Sequence, residues 1–347
     1  DGTIKNHSGA TITMKKEGSA AIFGKNTGKG DTEIINDGDI QIGEKSVGLF
    51  AEDYTEKNLE NAGKIAIVGD SGIGMYYKAG ALTQDVTMEN KSEAENSGTE
   101  LGGTTPAASV KRVGMYSEAN SSSKKLTAKN SGDIKILGDG ASSIGDANIG
   151  MYTNATAAGT NPLENAGTIE LGKYGIGMYG WDLDTSGDIT VGDGGVAIYS
   201  QGGDVNMTAS GTKKIKVGKD ARGILVVGDG QTVTATNYEY EIGDGSYGFV
   251  NRNSGSTGNT FTISGGKATL GNKGKFIYSS DTKGNITNST DMEMLSTATD
   301  GENYGIYATG TVINSGKIEF TKGKGNVGIY ATEDGDITNS GNIELGE

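Results

Sequence analysis

The sequence predicts an all-β protein, a right-handed parallel β-helix (solenoid) of about twelve coils with three short strands per coil. Three observations predict it. A pentapeptide of the form V-G-I-Y-A recurs twelve times along the chain. Between its copies runs a segment of the form N-x-G-x-I-x-Φ-G, where Φ is a large apolar residue and apolar positions alternate with polar ones. Glycine occupies 60 of 347 residues, well above the roughly 7% of average usage, while proline is held to 2. Self-similarity at a period of tens of residues is the signature of a solenoid, in which one unit cannot bury its own apolar face and stacks on the next.

The pentapeptide marks one strand of every coil. It reads AAIFG (20–24), VGLFA (47–51), IGMYY (73–77), VGMYS (113–117), IGMYT (149–153) and IGMYG (176–180). It continues as VAIYS (196–200), RGILV (222–226), YGFVN (247–251), KFIYS (275–279), YGIYA (304–308) and VGIYA (327–331). The second strand is seen in Ile40/Ile42, Ile65/Ile67, Ile134/Ile136, Ile169/Leu171 and Ile318/Phe320, each pair split by one residue, as expected of a strand with one buried face. A third, weaker strand precedes each asparagine, as in Leu126-Thr127-Ala128 and Ile286-Thr287-Asn288. Helices are excluded because no dozen residues keep a 3.6 period and each interior glycine costs about 1 kcal/mol against alanine. Glycines are expected at the turns, in positive-φ conformations.

The whole chain, 1–347, reads as a single β-helix segment, and the match of Asp1–Asn6 to Asp334–Asn339 makes it open in mid-coil, as expected of a fragment of a longer rod. Coil length is uneven: the interval between aromatic positions runs from 20 residues (Tyr179 to Tyr199) to 40 (Tyr76 to Tyr116). Insertions are therefore expected at about 77–95, 103–112, 117–129 and 139–148, rich in Ala, Ser, Thr and Asn, as surface loops are.

The net charge of −14 is spread along the chain without a basic face, which argues against nucleic acid as a partner. No run of about 18 apolar residues occurs, so no membrane insertion of this segment is expected. Cysteine is absent, and no basic-then-apolar leader opens the sequence.

Two ladders follow from stacking. Asn36, Asn61, Asn96, Asn130, Asn165, Asn288, Asn314 and Asn339 are expected to bond amide to amide along the axis, as architecture. Strict alternation in V-G-I-Y-A sends the Ile or Met inward and leaves Gly and Tyr on the other face, predicting an outer ladder of tyrosines, each covering a glycine. Its members Tyr76, Tyr116, Tyr152 and Tyr179, with Trp181 beside Asp182 and Asp184, are the candidate binding residues, because rigid aromatic surface suits sugar or protein partners. The competing role for the ladder is stabilisation of the stack, and for Trp181 shielding of a coil corner.

No catalytic residue is assigned. Gly69-Asp70-Ser71-Gly72 imitates a serine-protease signature, but it lies in a turn and the sole histidine, His7, is two coils away. Paired acids such as Asp188/Asp193 are strung along turns, whereas glycosidic chemistry needs two carboxylates converging on a cleft. No cofactor is expected and no metal ligand is assigned; calcium at one or more of the turns is the alternative role for these acids.

The pairing of N-S-G-x-I-x-L-G with V-G-I-Y-A or I-G-M-Y resembles the coil repeats in secreted passenger domains of large fusobacterial autotransporter adhesins, the type V secretion class. The resemblance covers essentially the whole chain, with drift through 201–300, where RGILV and YGFVN stand in for the consensus. It implies a cell-surface adhesin segment, outer membrane-anchored and extracellular, continuous with a C-terminal β-barrel outside this sequence. Implied partners are a host-cell surface protein or glycan, or the surface of another bacterium. The rivals are a structural stalk displaying a distal binding domain and a polysaccharide-degrading β-helix enzyme. No binding residue carries over, since the repeated motif is scaffold.

Overall fold

The computed structural model describes residues 2–26, 32–54, 58–80, 82–91, 100–103, 111–119, 124–138, 141–154, 162–253, 255–332 and 335–346. The fold is a right-handed parallel β-helix. The chain divides into two compact units, residues 1–184 and 185–347.

The first unit shows the three-strand coil in regular form. Thr32–Asn36, Asp39–Ile42 and Val47–Tyr54 make one coil, and Leu59–Asn61, Lys64–Ile67 and Ile73–Ala79 the next. Like residues stack in parallel register, Ile40 on Ile65 and Met75 on Met115. Three inward rows fill the interior: Ile34, Leu59 and Met88 from the first strand, Ile65 and Ile134 from the second, Met75, Met115, Met151 and Met178 from the third, all fully buried. The chain thus gains one continuous core by repeating a unit that could not fold alone.

The third strand departs from strict alternation. Met115 is buried and Tyr116 half-exposed, as expected, but Gly114 is buried and Val113 is not. The glycine faces the interior and does not lie under the tyrosine: a Cβ on Gly150 would sit 2.5 Å from the Gly177 carbonyl oxygen and 2.8 Å from Ile169 Cγ2. The backbone turns at this residue, which leaves the paired register while its neighbours keep it.

The corner glycines also differ from expectation. The left-handed position between the second and third strands is held mostly by other residues, including Lys45, Ser71, Lys111 and Tyr174, with φ from 49° to 59°. The glycine that opens such a turn is required by crowding: a Cβ on Gly218, in the second unit, would lie 2.6 Å from the amide nitrogen of Asp193 in the preceding turn.

The asparagine ladder runs through Asn6, Asn36, Asn61, Asn90, Asn130 and Asn165, each Nδ2 donating to the Oδ1 of the next at 2.7–2.8 Å. Asn36 and Asn61 also donate to the carbonyls of Gly38 and Gly63. Asn90 holds the rung expected of Asn96, which lies outside the described residues. Val86–Asn90 is accordingly a first strand, in register with Leu126–Asn130. Val86–Asn90 falls inside the stretch 77–95, expected to be an insertion, while Leu126–Asn130 contains the strand expected at Leu126-Thr127-Ala128. In this coil the second strand is Glu100–Gly103, whose Gly103 lies level with Ile136. Where neighbouring coils supply an isoleucine, the buried Arg112 reaches in and donates from Nη1 to the Ile67 carbonyl at 3.0 Å. Its Nε and Nη2 have no partner among the described residues. Burial lowers its pKa, and Asp70 opposes that shift.

The second unit keeps the third strands in register: Val196–Ser200, Arg222–Val227, Tyr247–Arg252, Lys275–Ser279, Tyr304–Ala308 and Val327–Ala331. Two of its coils have two strands instead of three, because Val205–Val217 and Thr232–Ile242 run straight through the corner where other coils place an N-x-G turn. Its interior there is aromatic. Tyr240, Phe249 and Phe276 meet edge to face at 5.2–5.5 Å. The asparagine ladder resumes at Asn288, Asn314 and Asn339.

Candidate functional site: a stacked aromatic ridge

In the first unit the outward position of each third strand falls directly over its counterpart, and the side chains there form one stack: Phe23, Phe50, Tyr76, Tyr116, Tyr152 and Tyr179. Centroids of successive rings lie 4.7 Å apart from Phe50 to Tyr76, 4.7 Å to Tyr116, 4.9 Å to Tyr152 and 5.2 Å to Tyr179, with interplanar angles of 2–16°. Phe23 tilts by 40° and is the most exposed rung, at 47%. Parallel strands repeat at about 4.8 Å, so identical side chains in register stack at close to that spacing.

Two residues further along the same strands runs a second row, with Lys25 in register with Glu52, and Lys78 with both Glu52 and Glu118. Glu52 pairs with Lys25 at 3.1 Å and Lys78 at 3.7 Å. Glu118 turns toward the ridge instead: its Oε2 accepts from Tyr76 Oη at 2.6 Å and from Tyr116 Oη at 3.5 Å. Desolvation, followed by the Glu118 charge, pushes the Tyr116 hydroxyl up to about 12. Tyr76 moves further in the same direction, with desolvation again the largest cause and the Glu118 hydrogen bond next. Tyr152 is also raised, chiefly by burial.

This geometry decides what the ridge can do. Tyr76, Tyr116 and Tyr152 are each sandwiched between two rings, so their faces are taken and their edges and hydroxyls point outward. A sugar ring stacks on an exposed aromatic face, so these three offer no stacking platform. They offer a ridge of positive ring edges and hydroxyls. The structure brings together four of the five candidate residues, Tyr76, Tyr116, Tyr152 and Tyr179. Trp181 is half-buried in the turn after Ile176–Gly180 and is not a rung. Sequence reasoning missed Phe23, Phe50 and Glu118. The two phenylalanines were legible, since they hold the tyrosine slot in AAIFG and VGLFA. Glu118 carried no repeat signal, because its row changes residue type at every coil.

In the second unit Tyr278, Tyr307 and Tyr330 stack at 5.2 and 5.0 Å. Leu225 and Val250 hold the intervening outward positions and pack with Val196.

The catalytic lookalikes resolve into scaffold. Ser71 occupies a left-handed corner, the slot of Lys45 and Lys111 in other coils, and His7 is exposed. Asp188 accepts from the Lys214 amide and Lys213 Nζ, and Asp193 accepts from the Lys219 amide. Among the described residues no group of three or more His, Cys, Asp or Glu side chains is arranged to hold a metal ion. Of the expected insertions, residues 81, 92–95, 104–110, 120–123 and 139–140 lie outside the described residues.

Stacked coils, an asparagine ladder and an outer aromatic ridge define a β-helix repeat protein. Residues 1–183, more than half the chain, match the family described as BigA third pectate lyase-like domain, and the chain belongs to that family. The matched residues coincide with the first compact unit to within one residue. No curated protein and no solved structure matches the chain.

Proposed function

We propose that this chain is a segment of a non-enzymatic, cell-surface adhesin: an autotransporter passenger of the fusobacterial type, outer membrane-anchored and extracellular, that attaches the bacterium to host cells or to other bacteria. Membership of the BigA-type family is the observation that carries this reading. The engagement of the paired acids Asp188 and Asp193 with backbone amides and a lysine of the next coil supports the non-enzymatic part. The ridge adds a chemical preference. With the ring faces of Tyr76, Tyr116 and Tyr152 closed, the ridge suits a partner gripped by edge contacts and hydrogen bonds, a protein surface ahead of a stacked sugar. The second reading, a stalk, is favoured by the same closure, because rings that satisfy one another need no ligand.

Binding of the purified chain to epithelial cells and to a panel of bacteria tests the two. The informative variants delete 92–99 or 104–110, which spares the Asn90 rung, or replace Tyr116 and Tyr152 by leucine. Saturable binding lost in one of these variants supports the adhesin and names its surface. Absence of binding to every cell in the panel overturns it in favour of the stalk.

A further inference from the structure

We propose that the ridge of the first unit is an oxidative cross-linking site, at which Tyr76 and Tyr116 of adjacent coils are joined ring to ring as dityrosine by peroxide acting through a one-electron peroxidase. The inference does not depend on the adhesin reading.

Three features carry it. The two rings are already together, with centroids 4.7 Å apart and planes within 4°. Their strands hold them so, through the pairing of Met115 with Met75 and Tyr116 with Tyr76, so coupling needs no search. Second, a phenol gives up an electron readily only when its proton leaves at the same time. One carboxylate oxygen, Glu118 Oε2, accepts from Tyr76 at 2.6 Å and contacts the Tyr116 hydroxyl at 3.5 Å. Third, Tyr76 and Tyr116 are half-exposed on the outer face of their strands, where a peroxidase can take electrons from the ring edges. Tyr152 and Tyr179 extend the stack, so a radical formed on either can pass by electron transfer toward the rung that has the base.

The chemistry balances. The oxidant takes one electron from Tyr76 as its phenolic proton passes to Glu118, and a second electron from Tyr116 with loss of that proton. The two radicals form a carbon–carbon bond between positions ortho to the oxygens, and the two ortho hydrogens shift to the oxygens to restore both phenols. Two tyrosines have lost two electrons and two protons, which reduce one peroxide to two waters. The product ties coils whose aromatic positions are 40 residues apart in a chain with no cysteine.

The second unit supplies an internal comparison. Tyr278, Tyr307 and Tyr330 stack at similar spacing, and no carboxylate hydrogen bond to their hydroxyls occurs among the described residues.

The test treats the 347-residue chain with hydrogen peroxide and a peroxidase, then digests it with trypsin. The expected product is peptide 65–78 joined to peptide 113–124, two hydrogens lighter than their sum, with dityrosine fluorescence. Tyr76→Phe and Tyr116→Phe each keep the stack and abolish this product, while Tyr77→Phe, at a wholly buried neighbour, keeps it. Glu118→Gln retains an acceptor but not a base, and lowers the yield about tenfold or more with the melting temperature of the untreated protein unchanged. Dityrosine found chiefly among Tyr278, Tyr307 and Tyr330, or only between chains, overturns the proposal, as does full yield in Glu118→Gln.

Discussion

Gly248 and Phe276 occupy the same slot of adjacent coils, and one has no side chain because the other has a large one. A Cβ on Gly248 would lie 2.6 Å from the Phe276 carbonyl oxygen and 2.7 Å from its Cδ2. Phe276 is wholly buried, so the slot faces the interior wherever glycine fills it. Phe276→Ala should cost about 3–5 kcal/mol by leaving a cavity, and Gly248→Ala about 1–3 kcal/mol by overpacking. Ala197→Gly, at the coil that already tolerates a methyl group, serves as the control. Urea denaturation of the three variants checks the order.

The ridge sets an alkaline limit on stability. The Tyr116 hydroxyl is held at about 12 in the fold against an ordinary 10.0. Above pH 10 the unfolded chain ionises this tyrosine while the folded chain keeps it protonated. The stabilisation is therefore complete below pH 10 and is lost as pH rises toward 12. The melting temperature should fall across that window, and less steeply in Tyr116→Phe. Phenolate absorbance followed alongside the melt shows that tyrosines titrate, and the difference between the two proteins assigns the share of Tyr116.

Asn130 is held on both sides, donating to Asn165 and accepting from Asn90. Asn130→Ala removes the amide that donates to Asn165 Oδ1 and the better partner of Asn90 Nδ2, a loss of about 2–3 kcal/mol. Chemical denaturation measures it, and amide exchange in the two neighbouring coils should rise with it.

Arg112 yields the opposite expectation. A buried guanidinium with two orphan nitrogens is a poor source of stability. Arg112→Met keeps the length and removes the charge, so it should leave stability unchanged or raise it by about 1 kcal/mol. Calorimetry decides, and a marked loss would point to an unrecognised partner for this cation.

The strands and their stacking were legible because the pentapeptide repeats with its apolar residue at a fixed place, and parallel stacking is the arrangement that aligns twelve copies. The facing of the glycine was not read, although Ala197 and the buried Phe276 hold the same slot and signalled an interior position. The period-two rule was applied through a residue at which the backbone turns. Asn96 opens an N-S-G like that of Asn130, while the second strand of that coil ends in Gly102-Gly103 and gives no apolar pair from which to count back to Asn90. The alternation of Val86-Thr87-Met88-Glu89-Asn90, matching Leu126 to Asn130, held the answer. Closed ring faces followed from the strand spacing alone, and Glu118 emerged only from the coordinates.

Within each unbroken run of the asparagine ladder, Asn6 to Asn165 and Asn288 to Asn339, every link points the same way, from Nδ2 to the Oδ1 of the later coil. If one side chain in the middle turned over, it would set donor against donor on one side and acceptor against acceptor on the other, so a single reversal breaks two links. The ladder therefore has two self-consistent states, all forward or all reversed, and the second carbonyl that Asn36 and Asn61 each bond selects one. A coil that docks must adopt the polarity of the coil before it, so orientation, like register, is inherited along the chain.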